Sequence, residues 1–228
     1  MAVEDQEKKA ISAGLVKLRR IHQYAYMKTP KTVEALEEFG RIRLSPSFFM
    51  RDFLYSEIAN CYGLANIPDN PDLAVEVGKH LCQELLEPLN ATFGRLAIRS
   101  AVRSTAVNQV GNGKGHSCAS NEKNFARHIW DHLDADGKKG ATACVVVPWF
   151  ADRYERGMDW RAMACWIHDH LPYSELEFFP KLAAFNISWH EQPKRKIFSH
   201  VEPKGLLNAV EDEGAPWAAM CHDFPPLR

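Results

Sequence analysis

The chain has no run approaching the ~20 apolar residues that a bilayer-spanning helix requires, so no membrane span is expected. Its opening residues, Met1-Ala2-Val3-Glu4-Asp5-Gln6-Glu7-Lys8-Lys9, lack the apolar core of a secretory leader. Excess charge is also missing. With 28 Lys and Arg against 29 Asp and Glu, the formal net charge is −1, which gives no global pull toward nucleic acid or an anionic membrane. The six cysteines (Cys61, Cys82, Cys118, Cys144, Cys165, Cys221) are scattered and contain no C-x-x-C pair. Without a leader, reduced thiols in a cytoplasm are expected, or a phage-encoded protein released without a signal peptide. Internal repeats, low-complexity tracts and inter-domain linkers are absent as well. What is present, 46% hydrophobic and 25% charged residues over 228 positions, is the composition of a globular protein with ample core material. The length fits one domain, or one domain with a helical arm.

Residues 7–28 place Ile11, Leu15, Leu18 and Ile21 near helical spacing, and Thr32 opens a short helical pattern closed by Gly40. Ser56-Glu57 reads as a helix start, and Pro68 to Pro71 as a loop before the clearest helix of the chain. In that helix Leu73, Val77, Leu81, Leu85 and Leu89 recur every four residues. A strand is predicted over 95–104, a glycine-rich loop over 111–124 and a second polar loop over Asp131 to Gly140. Ala143 to Pro148 reads as a short buried strand, Trp160 to His170 as a helix, and Leu182 to Trp189 as a strand.

Two histidines lie beside tryptophans. His128 sits in Ala126-Arg127-His128-Ile129-Trp130-Asp131, and Trp189-His190 ends an apolar run. Taken singly each reads as an ordinary packed or surface histidine; together they are candidates for two ligands of one metal. Asp131, Asp134 and Asp136 before Gly137 form an incomplete calcium-loop pattern, better read as a solvated acidic turn. His168-Asp169-His170 reads as the polar surface of a helix end.

The order of Phe53-Leu54-Tyr55-Ser56-Glu57-Ile58, Asn66-Ile67-Pro68, the long helix ending Leu86-Glu87-Pro88-Leu89, and Phe93-Gly94-Arg95 through Arg103-Ser104 resembles the D-Ala-D-Ala carboxypeptidase family of zinc peptidases. That family shares its fold with the Hedgehog signalling domain, and the similarity covers about residues 46–200. It implies an α+β Hedgehog/DD-peptidase-like fold, with a small antiparallel sheet flanked by helices at 46–228 and an N-terminal helical arm at 1–45. It also implies that Arg103 binds a substrate carboxylate through its two-pronged donor set. His128 and His190 take the places of the zinc histidines. The third ligand is Cys144 by alignment, or Asp136 or Asp134 if the insertion at 131–139 supplies oxygen. Zinc would then polarise the scissile bond and acidify its water, with Glu177, or alternatively Glu175, carrying the proton. Glu191 should point to the opposite side of the strand from His190.

Two functions follow from the resemblance. One is a zinc-dependent carboxypeptidase or endopeptidase acting on D-amino-acid peptides such as peptidoglycan stems. The other is a peptidase-fold binding or structural module without catalysis. Departures from the family pattern favour the second: Val102 for tyrosine, Cys144 for aspartate, and a displaced glutamate.

Overall fold

The computed structural model describes residues 27–207 and 220–228, so the helix expected over 7–28 falls almost wholly outside it. The fold is α+β. Helix α1 (Val33–Gly40) starts where the Thr32 hydroxyl accepts from the Ala35 amide. Phe39 and Leu44 enter the main core, so this part of the expected arm shares the domain's interior. Helix α2 (Glu57–Tyr62) is capped by Ser56 and ends at Gly63, whose φ of 63° is the left-handed conformation suited to glycine.

The long helix is built as α3 (Pro71–Leu81), a π turn (Cys82–Leu86) and α4 (Glu87–Phe93). Asn70 caps it and Pro71 occupies the first turn. A four-residue leucine repeat overshoots the α-helical turn by about 40° each time, so a regular helix would rotate the stripe off the core. The slower-winding π turn corrects that drift. Leu81, Leu85, Leu86 and Leu89 are consequently all fully buried.

Next come β1 (Ala97–Ser100), α5 (Thr105–Gly113), α6 (Asn121–Asn124), β2 (Gly140–Val146), α7 (Pro148–Tyr154) and α8 (Arg161–His170). The sheet is completed by β3 (Glu175–Phe178), β4 (Phe185–His190), β5 (Lys196–Ser199) and β6 (Gly205–Leu206). The strand order is β1-β2-β4-β3-β5-β6. Every pairing is antiparallel except β3 with β5, which is parallel, so the sheet is mixed rather than wholly antiparallel. Helix α5 was not expected within its glycine-rich stretch. Ser104 caps it, and Gly111 is needed because a Cβ there would lie 2.6 Å from the Cys118 Sγ. Among the described residues no helix is long and apolar enough to cross a membrane.

Candidate functional site on the polar face of the sheet

Strand alternation divides the sheet into two unlike faces. On β4, Phe185, Ile187 and Trp189 turn to one side, where Phe185 and Ile187 are fully buried. Trp189 donates its Nε1–H to Glu84 Oε2 at 3.0 Å and stacks on His80, so it belongs to the helix-covered side. Asn186, Ser188 and His190 turn to the other. The Trp189-His190 pair is therefore split across the sheet. Register then assembles polar rows on that second face. Ser100, Cys144, Asn186 and Glu177 lie opposite one another across β1, β2, β4 and β3. Thr142, Ser188, Glu175 and Lys196 form the next row, and Gly140 faces His190 beyond it.

His128 reaches this face from the segment before β2. Trp130 anchors that segment in the core, donating to the Thr142 carbonyl at 3.0 Å and packing so close to α3 that only glycine fits at position 78. His128 is buried, with Nδ1 2.8 Å from the Ala101 carbonyl. A carbonyl only accepts, so Nδ1 carries the hydrogen and Nε2 keeps its lone pair in the neutral ring. Burial first, then the charges of Arg103 and Arg127, lower its pKa to about 3, although the Ala101 carbonyl and the Asn186 side chain oppose this. The ring is thus neutral at ordinary pH.

Beside it, Arg103 extends Nη1 to Cys118 Sγ (3.4 Å) and Nη2 to Ser100 Oγ (3.3 Å). Among the described residues no carboxylate pairs with its guanidinium. The Cys144 thiol is pushed up to about 11 by burial, with Arg99 and Arg103 pulling the other way, so it stays protonated. Glu177 accepts from Asn186 Nδ2 at 2.8 Å and pairs with His200 at 2.9 Å.

His190 occupies the other end of β4. Its Nε2 donates to Asp134 Oδ2 at 3.0 Å, and Nδ1 lies 3.0 Å from the Gln192 amide. Asp134 Oδ1 accepts from the Asp136 and Lys138 amides, closing the acidic insertion into a tight turn. Burial resists ionisation of Asp134, but those amides and the His190 ring outweigh it and hold its pKa below the usual value. A cavity of about 230 Å³ here is lined by His190, Asp134, Asp136, Glu175, Arg127 and Lys194 among others. A second cavity, about 320 Å³, continues over Glu177, Asn186, Lys196 and Phe198. Arg127, Glu175 and Ser188 line both, and the 2.6 Å ion pair between Arg127 and Glu175 stands between them.

The residues expected to form one metal site are consequently separated. Cys144 faces Asn186 while His190 faces Gly140, four residues along, a spacing of about 13 Å on a strand. His128, Cys144 and His190 do not bring three ligand atoms together. Among the described residues the one such group with atoms within 4.8 Å of one another is Cys165, Asp169 and Cys221, elsewhere in the fold. Asp136 shares the His190 cavity, and Asp134, the other oxygen alternative, is the residue that meets His190. Of the two glutamates, Glu177 belongs to the Cys144–Asn186 row, whereas Glu175 shares the His190 cavity. Glu191 lies off this face as expected, accepting from the Lys139 amide. Asn186 and Arg127 were missed, although alternation back from His190 was a readable signal for Asn186. No family model, curated protein or solved structure matches the chain.

Proposed function

We propose that this protein is a binding module for short carboxylate-bearing peptides of the cell-wall type, carried on a peptidase-like frame. The observation that supports it is the guanidinium of Arg103, without an acidic partner among the described residues, beside the neutral, buried His128. An arginine in that state is a ready receptor for a carboxylate. The ligand backbone runs along the polar rows of β2, β4 and β3, and Glu177 and Glu175 take its cationic groups. Titration calorimetry with a stem-type peptide ending in D-Ala-D-Ala should give binding that weakens at least tenfold in Arg103→Ala and as salt rises. Unchanged affinity in Arg103→Ala would sink this reading.

Zinc-dependent hydrolysis is kept as a second reading on one observation. The Nδ1–H of His128 is held by a backbone carbonyl, which is how metal-binding histidines are usually oriented. The separation of Cys144 from His190 stands against it. Cleavage of the same peptide that needs added zinc and vanishes in both His128→Ala and His190→Ala would establish it. Binding without cleavage would leave the module.

A further inference from the structure

We propose that Cys165, Asp169 and Cys221 form a zinc-type cation site that clasps the C-terminal segment to α8. The site shares no residue with the polar face and does not depend on what that face binds. Cys165 and Asp169 stand one turn apart on the same side of α8, and Cys221 arrives from the segment 220–228. Cys165 Sγ lies 3.6 Å from Cys221 Sγ and 3.8 Å from Asp169 Oδ2. A tetrahedral ion with Zn–S bonds of about 2.3 Å needs S···S edges of about 3.8 Å, so these separations already match such a shell. The positions do not depend on an ion. Trp166 donates to the Pro225 carbonyl at 3.0 Å, and Phe224 packs edge-on against Trp149 and Phe93. This packing presents Cys221 to α8. Calcium and magnesium call for all-oxygen shells, whereas two thiolates and one carboxylate suit zinc or cobalt. Binding releases the two thiol protons to solvent, and water completes the shell on the exposed Asp169 side.

The test uses the full chain, fully reduced and loaded with Co²⁺, whose thiolate charge-transfer absorption reports sulfur ligation directly. One equivalent of cobalt should bind, with zinc displacing it. Cys221→Ser is the primary variant because this half-buried residue lies in a terminal segment; it should abolish the absorption. Asp169→Asn should weaken uptake at least tenfold. His128→Ala should leave the absorption intact, which separates this site from any metal on the polar face. No thiolate absorption in the reduced wild-type chain, or its persistence in Cys221→Ser, would overturn the proposal. So would a Cys165–Cys221 disulfide that remains the stable form in metal-replete buffer containing reduced glutathione.

Discussion

The two faces of the sheet are made from alternate residues of the same strands, yet they obey different physics. On the covered face Ala141, Ala143, Val145, Leu176, Phe178, Phe185 and Ile187 are almost completely excluded from water, under α3 and its π turn. That side is held by burial, worth about 25 cal/mol per Å² of apolar surface. On the open face Glu175, Glu177 and Asn186 are tied by partly exposed hydrogen bonds and ion pairs that exchange with water and add little to stability, while Thr142 and Ser188 are closed to water and bond to each other. One face holds the strands in place; the other presents chemistry. A sheet that needed both faces to stay folded would not leave one lined with cavities and charge.

The contrast can be broken most sharply on the covered side. Phe185→Ala should cost about 3–5 kcal/mol in urea denaturation, because Phe178 packs on that ring at 5.0 Å and cannot fill the void. A loss under about 1 kcal/mol would mean that the covered face is not the stabilising one. The tightest backbone approach on the open face comes next. A Cβ at Gly140 would sit 2.3 Å from the Ala126 carbonyl and 2.9 Å from His190 Cδ2. Backbone cannot yield cheaply there, so Gly140→Ala should destabilise by about 3 kcal/mol and shift the His190 ring resonances in NMR spectra.

His128 gives an effect that depends on pH. Its folded pKa of about 3 lies below the unfolded value of 6.5, so below pH 6.5 the unfolded chain takes up the proton that the folded chain refuses. Stability of the metal-free protein should therefore fall as pH drops from 6.5, by about 2 kcal/mol at pH 5, and His128→Asn should flatten that part of the profile. Identical profiles for wild type and variant would show that His128 is not buried in the neutral state. The smallest effect belongs to the open face. Arg127→Ala breaks a half-exposed ion pair and should change stability by less than about 1 kcal/mol while weakening peptide binding. A loss of several kcal/mol would erase the distinction between the faces.

Much of the covered face was legible beforehand. The leucine repeat, the helix starts at Thr32 and Ser56, and a strand through the β-branched run before Pro148 follow from local propensity and periodicity and form, the strand beginning earlier, at Gly140. The π turn was not legible, because it answers a mismatch between repeat and helix that matters only once a core lies beneath. Helix α5 was hidden by Gly111, which serves close packing against Cys118 and Ile58 rather than a turn. On the open face the candidate residues lie on one side of the sheet but not as a group. Cys144 and His190 both lie on this face, yet the pairing register sets them four residues apart. His190 meets Asp134 because the insertion folds back as a closed turn, and nothing in residue spacing fixes that closure.

The sequence by itself determined the leucine face of the long helix, the helix starts at Thr32 and Ser56, and that His128 and His190 each lie beside a tryptophan in the chain. Periodicity and capping are local, so they can be read from neighbours along the chain. Only the tertiary structure decided which side chains share a site. It set Arg103 beside His128, paired Arg127 with Glu175, and brought Cys221 within 3.6 Å of Cys165, 56 positions away in the chain. Those encounters depend on strand register, loop closure and the return of the C-terminal segment, which are settled by packing over the whole fold rather than by any stretch of it.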